Sequence, residues 1–293
     1  MKPTAGLLSH DSGAASSLIE AHAAAGEDQS ELPGGWELAK NWRKLGAQLP
    51  APLRRKAREA AIDAILRRAR DLLRHAARPV ALAEHAWPGP GELDLERSLE
   101  AGFLGVSGLV RPEQLRLTQQ SPRALALVTI LDMSLSMTGE KVALIAVAVA
   151  ILRLKLEKVG VVVFDTTAHR LVGVEEELSP REVVRRVLEV PAQGYTNIEA
   201  GLERALIELR SGRERDRVGL LLTDGLANVG RNPVPVARRF PRLHVVHLGD
   251  HHPQGARCCR EMAQEGHGRI YRATRYADLP GVVRRAVREL FRG

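Results

Sequence analysis

The sequence predicts an α/β fold, doubly wound with a mostly parallel central sheet and helices on both faces, preceded by a helical N-terminal region. Three observations carry that prediction. From about Leu115 onward, short apolar runs of strand length alternate with longer segments of helical period. One of those runs, Ala124 to Leu131, is nearly continuous in apolar residues, as a strand covered on both faces must be. Before this region the periodicity is helical only.

In chain order, residues 1–34 are rich in Ala, Ser, Gly and Glu and end at Pro33-Gly34-Gly35, so a flexible segment is expected. Residues 35–120 are expected to form a helical region with a linker. Trp36, Leu38, Trp42 and Leu45 mark one amphipathic helix, and Pro50-Ala51-Pro52 separates it from a second over Leu53 to His75. Ala57, Ala61, Ile62, Ile65, Leu66, Ala69, Leu72 and Leu73 recur there at helical spacing. Pro79 to Gly91 has the composition of a linker, so a chain starting near Leu115 is expected to fold alone. A short helix over Asp94 to Glu100 follows, with Asp94 as its N-cap.

Residues 121–293 hold the alternating series. Leu115 to Gln119 and Ala124 to Leu131 read as strands around Ser121-Pro122-Arg123, followed by a helix over Thr138 to Glu157. Strands Val159 to Phe164 and His169 to Val174, helices Ser179 to Leu188 and Asn197 to Leu209, and strand Arg217 to Leu222 come next. Helix Pro233 to Arg239, strand Leu243 to Leu248, helix Gln254 to Glu265, strand Arg269 to Tyr271 and helix Leu279 to Phe291 complete it.

Composition narrows the function. The chain has 293 residues and a formal net charge of +8, from 43 Lys and Arg against 35 Asp and Glu. That moderate excess does not by itself name nucleic acid, and with 3% aromatic residues a platform of stacked bases is disfavoured. The only two cysteines, Cys258 and Cys259, are adjacent and supply no disulfide framework. Residues 1–10 lack the apolar run of a secretory signal peptide, so none is expected, and the longest apolar stretch, Val142 to Leu152, is too short to span a bilayer. A cytoplasmic protein without a membrane segment is expected.

In open α/β sheets ligands bind past the carboxyl ends of the strands. Asp132 and Asp224 stand at two such ends, where an uncompensated carboxylate is costly and a shared cation would compensate both. In Asp132-Met133-Ser134-Leu135-Ser136 every second residue carries oxygen, and Thr196 offers a third hydroxyl at another helix entry. Two carboxylates and three hydroxyls, without thiol or imidazole, form a hard-oxygen set suited to Mg²⁺ or Mn²⁺.

Asp132-x-Ser134-x-Ser136, then Thr196, then Thr223-Asp224-Gly225 resembles the metal-ion-dependent adhesion site of von Willebrand factor type A (VWA) domains, over about residues 121 to 293. The resemblance implies that Ser134, Ser136 and Thr196 touch the ion directly, that Asp132 and Asp224 act directly or through water, and that a partner's Asp or Glu completes the coordination. Leu135 departs from the glycine usual between the two serines. Local readings stand beside these: Thr196-Asn197-Ile198-Glu199 also matches a capping box, Ser136 suits a helix cap, and Asp224-Gly225 suits a turn. Asp165 reads as a polar turn residue.

His244, His247, His251, His252, Cys258 and Cys259 gather near one strand end without the spacing of a second metal site. No P-loop, GxSxG, HExxH or kinase motif occurs, so the chain is expected not to be an enzyme. In layout it is similar to cytoplasmic bacterial and archaeal VWA proteins that partner MoxR-type AAA+ ATPases, and to the VWA portion of the magnesium chelatase D subunit. The resemblance implies an adaptor linking such an ATPase to a client that is remodelled or loaded with metal. The alternative is an RNA-associated, Ro-like protein using the Arg-rich second helix, with Arg54, Arg55, Arg67 and Arg68 on it.

Overall fold

A computed structural model describes residues 34–74, 80–86, 92–103, 112, 115–122, 125–135, 137, 139–191, 193–212, 216–249 and 252–290. The expected flexible segment 1–34 lies, save for Gly34, outside the described residues.

The first helices among the described residues are α1 (Gly35–Gln48) and α2 (Ala51–Leu73). They pair with one another, burying Leu38, Trp42 and Leu45 of α1 and Ala57, Ala61, Ile62, Ile65, Leu66 and Ala69 of α2. The Arg68 guanidinium lies 4.5 Å from the centre of the Trp36 ring. After α2 comes a small antiparallel sheet of β1 (Val80–Ala86), β2 (Glu92–Asp94) and β3 (Arg116–Pro122), with β3 in the middle. Helix α3 (Leu95–Phe103) starts where Asp94 Oδ1 accepts from the Arg97 amide at 3.1 Å. The stretch read as a linker from Pro79 to Gly91 thus contains a strand, and β3 belongs to this sheet instead of the main one.

The main sheet has six strands: β4 (Leu125–Asp132), β5 (Lys158–Phe164), β6 (Ala168–Val172), β7 (Asp216–Thr223), β8 (Leu243–Leu248) and β9 (Ile270–Ala273). Their order is β6-β5-β4-β7-β8-β9, parallel throughout except for the antiparallel edge strand β6. The chain moves outward from β4 through β5 to β6, then returns to β7 and moves outward the other way. The strand order therefore reverses between β4 and β7, where doubly wound sheets open a ligand crevice.

Helices cover both faces. They are α4 (Glu140–Lys155), α5 (Pro180–Glu189), α6 (Ile198–Ser211), α7 (Val234–Ala237), α8 (Pro253–Glu265) and α9 (Leu279–Leu290). Ser179 caps α5 by accepting from the Glu182 amide at 3.2 Å, and Asn197 caps α6 by accepting from the Ala200 amide at 3.1 Å. On one face Ala126, Val128, Ile130, Val162 and Phe164 pack with Ile198, Leu202, Ala205 and Leu209 of α6 and Met262 of α8.

Helix α4 is buried on every side from Val142 through Leu152. A helix apolar all round needs neighbours beyond the sheet, and α1, α2, α5 and α9 supply them. Arg181 of α5 pairs with Glu59 at 2.6 Å and with Asp63 of α2, Arg58 Nη1 lies 2.8 Å from Glu189, and Arg284 of α9 donates to the Leu72 carbonyl at 3.1 Å. Residues Gly35–Gly293 accordingly form one compact unit. The helical region expected from composition to be separable thus packs on helices of the later region.

Candidate metal centre

The site lies where β4 and β7 end. Asp132 closes β4 and, in the β4–β7 register, stands one residue beyond the Leu131 to Leu222 pair, across from Thr223. That register explains why the Thr223 hydroxyl donates to Asp132 Oδ2 at 3.0 Å. The Ser134 amide donates to Asp132 Oδ1 at 3.1 Å, and the Ser134 side chain also hydrogen-bonds the carboxylate. Asp132 and Ser134 are 1% and 3% exposed, so this carboxylate is out of bulk water.

Burial pushes the Asp132 carboxyl up to about 6, and the facing Asp224 charge adds to the rise, while the hydrogen bonds from Ser134 and Thr223 only partly oppose it. Asp224 follows β7, half-buried, with Oδ1 accepting from the Leu226 amide at 2.9 Å. The turn reading of Asp224-Gly225 is thus also correct, and it aims the carboxylate. Gly225 has φ +80°, and a Cβ there would meet the Gly255 carbonyl oxygen at 2.3 Å and Cys259 Sγ at 2.7 Å. Strain in the left-handed region and a backbone clash together lead us to expect Gly225→Ala to cost about 3 kcal/mol or more. Urea unfolding measures this, and a loss under about 1 kcal/mol would mean that α8 does not press on the turn.

Thr196 is 5% exposed at the entry to α6. The cap of that helix is Asn197, not Thr196, so the capping box read across Thr196 to Glu199 does not form; Glu199 instead accepts from the Arg231 amide at 2.7 Å. The Thr196 carbonyl accepts from the Asn228 and Val229 amides at 3.0 and 3.3 Å, and the Asn197 amide donates to the Asp165 carbonyl at 2.8 Å. Asp165 is the turn residue expected, its Oδ1 accepting from the Thr167 amide at 2.8 Å, and its carbonyl also ties the Thr196 loop to the end of β5. Ser136 lies outside the described residues. Leu135 and Tyr195, each next in sequence to a buried hydroxyl residue, are 63% and 62% exposed.

Two contributors, Arg43 and Tyr276, carried no sequence signal for this site. Thr223 was legible only as part of Thr223-Asp224-Gly225. Arg43 of α1 donates from Nη1 to the Met137 carbonyl at 2.6 Å, and Tyr276 donates to Met137 Sδ at 3.5 Å with Lys141 over its ring at 4.7 Å. Neither residue sits in a motif. Burial and the charges of Asp224 and Asp132 push the Tyr276 phenol up.

Among the described residues the histidine and cysteine group does not assemble a second centre. His244 Nδ1 accepts from the Arg269 amide at 3.0 Å, His247 is buried in β8, Cys259 is buried in the core, and His251 lies outside the described residues. Among the described residues no three His, Cys, Asp or Glu side chains gather to hold a metal. Among the described residues Asp132 has one carboxylate facing it, that of Asp224, and the side-chain oxygens bonded to it are the hydroxyls of Ser134 and Thr223.

The oxygen-only donors, the desolvated Asp132 and the opposed Asp224 fit a hard divalent cation. The family described as "VWA domain containing CoxE-like protein" matches residues 52–238, more than half of the chain. The chain belongs to this family. The matched span of the VWA protein includes α2 and runs through Asp224. No curated protein matches it.

Among solved structures, the fold is similar to proximal thread matrix protein 1 from the mussel byssus, at 17% identity and TM-score 0.50, over 57% of this chain and 47% of that one. A form of that byssus protein with a zinc-occupied metal-ion-dependent adhesion site matches at TM-score 0.49, with the same identity and coverage. An aerotolerance-related membrane protein from Bacteroides fragilis matches at 18% identity and TM-score 0.48, over 57% of this chain and 98% of that one. Among the described residues of the present VWA protein, no helix is long and apolar enough to cross a membrane.

Proposed function

We propose that this VWA protein is a non-catalytic adaptor that binds a protein partner through a divalent ion, Mg²⁺ or Mn²⁺, held by Asp132, Ser134, Ser136, Thr196 and Asp224. The observation that carries this reading is the buried Asp132 carboxylate, raised by desolvation and by Asp224 across the β4–β7 crevice. A buried carboxylate facing a second, half-buried one at strand ends is a poor arrangement for stability alone. An ion bound there balances both carboxylates and offers positive charge to an incoming carboxylate.

On this reading Asp132 and Asp224 bring the negative charge, and the neutral hydroxyls leave the centre electrophilic. Thr223 orients Asp132 from the neighbouring strand. The partner would be a MoxR-type AAA+ ATPase or its client, supplying an Asp or Glu, with the cytoplasm as the setting. Affinity purification from lysate in Mg²⁺ or in EDTA, followed by mass spectrometry and nucleic-acid staining, tests it. Ser134→Ala with Ser136→Ala is expected to lose the partner while the fold persists. Retained protein partners, with RNA lost on substituting Arg54, Arg55, Arg67 and Arg68, would overturn it.

The exposed Leu135 and Tyr195 refine the partner. Large apolar side chains at the rim of a polar site favour an acidic residue flanked by apolar ones. Leu135→Ser with Tyr195→Ser is therefore expected to weaken the partner by about ten- to a hundredfold, as loss of interface anchors does. The thermal shift on adding Mg²⁺ should not change. A shift that disappears would place these side chains in metal binding instead.

A further inference from the structure

Arg43 reaches from α1 into the loop between the metal centre and α4. Its Nη1 binds the Met137 carbonyl, while Nε and Nη2 are buried without a partner among the described residues. Those two donors are the pair that a carboxylate engages side-on, and leaving them unmet in a desolvated setting costs stability. A methionine or leucine at this position would pack without that cost. What the arginine supplies is the bond to Met137.

That bond acts on a short, connected piece of backbone. The Met137 amide donates to the Ser134 carbonyl at 2.8 Å, and the Ser134 amide donates to Asp132. A chain of three hydrogen bonds thus runs from α1 to the carboxylate. The α1 backbone also passes close to the start of α4, the Lys40 carbonyl lying 4.0 Å from where a Cβ on Gly139 would sit. Arg43 falls outside the span 52–238 that the family match covers.

We infer that Arg43 is a positioning residue for the metal centre, and that α1 is a latch through which the N-terminal helices set the centre's affinity for a divalent cation. This rests on the metal reading above. Docked, α1 holds the Ser134 to Met137 turn in place. Undocked, the guanidinium regains water and the turn loses its anchor.

The test titrates Mn²⁺ by calorimetry into the wild-type chain, Arg43→Met, Arg43→Lys and Asp132→Asn, with urea unfolding of each in EDTA. Arg43→Met is expected to lose at least about tenfold in Mn²⁺ affinity, the range for residues that orient metal ligands, while its unfolding midpoint in EDTA holds or rises. Arg43→Lys, which keeps one donor for the Met137 carbonyl, should fall between. A purely structural role would lower the midpoint and leave affinity alone, and that result overturns the inference. Wild-type chain that binds no Mn²⁺ overturns the metal reading, and this one with it; wild-type binding with unchanged Arg43→Met affinity overturns the latch only. Hydrogen exchange on the wild-type chain gives a second measurement that needs no variant: Mn²⁺ should slow exchange across Gly35–Gln48, and unchanged exchange there refutes the coupling.

Discussion

A chain beginning near Leu115 is expected not to fold. Helix α4 is buried from Val142 through Leu152, and the sheet covers only one of its sides. Removing α1 and α2 strips its outer cover along with the ion pairs from Arg58 and Arg181. Each Val, Leu or Ile brought into water costs about 1.5–3 kcal/mol, so a handful of them amounts to on the order of 10 kcal/mol. That matches the whole stability of a typical domain, about 5–15 kcal/mol. Circular dichroism and dye binding should report a molten or aggregated product. A shortened chain that melts cooperatively within a few degrees of the full chain would refute the shared core.

The same helix shows why the domain boundary was hard to read from sequence. Val142 to Leu152 was legible as a buried helix, but an apolar run does not say which segment covers it. Pro79 to Gly91 carries linker residues, yet Val80–Ala86 pairs with Arg116–Pro122, a partner thirty-odd residues away with no alternating apolar pattern to advertise it. The alternating strands and helices after β3 were legible because a doubly covered parallel strand leaves a continuous apolar run and caps such as Ser179 and Asn197 mark helix starts.

At the centre, Asp132 and Asp224 were legible from strand ends and Ser134 and Thr196 from loop chemistry. The structure brings Asp132, Ser134 and Asp224 together and places Thr196 at the next loop. Thr223 acts through cross-strand register, which appears only once β4 and β7 are known to be neighbours. Arg43 is a single arginine on a basic, amphipathic helix, and nothing in its local sequence separates it from solvent-facing neighbours such as Lys44.

Replacing Asp132 with Asn should stabilise the protein in EDTA at neutral pH while removing its response to metal. The native Asp132 carboxyl titrates at about 6, against 3.8 for an unperturbed one. Between those values the native state binds more protons than the unfolded state, so this group's contribution to stability falls as pH rises through that window. A shift of about two units corresponds to roughly 3 kcal/mol. The wild-type chain and Asp132→Asn should therefore be of similar stability near pH 4, where the native carboxyl is protonated and nearly isosteric with the amide. By about pH 7 the variant should be ahead by up to roughly 3 kcal/mol. Glu176 and Glu289, whose carboxyls lie below their usual range, lose stability in the opposite direction as pH falls. Both chains share that loss, so the difference between them isolates Asp132. Adding Mg²⁺ or Mn²⁺ should reverse the order, since a ligand at a hundred times its Kd stabilises the native state by about 2.7 kcal/mol and only the wild-type chain retains the charge to hold it. Urea unfolding of both chains at several pH values, with EDTA and with metal, measures all of this. If Asp132→Asn were less stable than wild type in EDTA at pH 7, the carboxylate would be held by protein hydrogen bonds alone and would not be waiting for a cation.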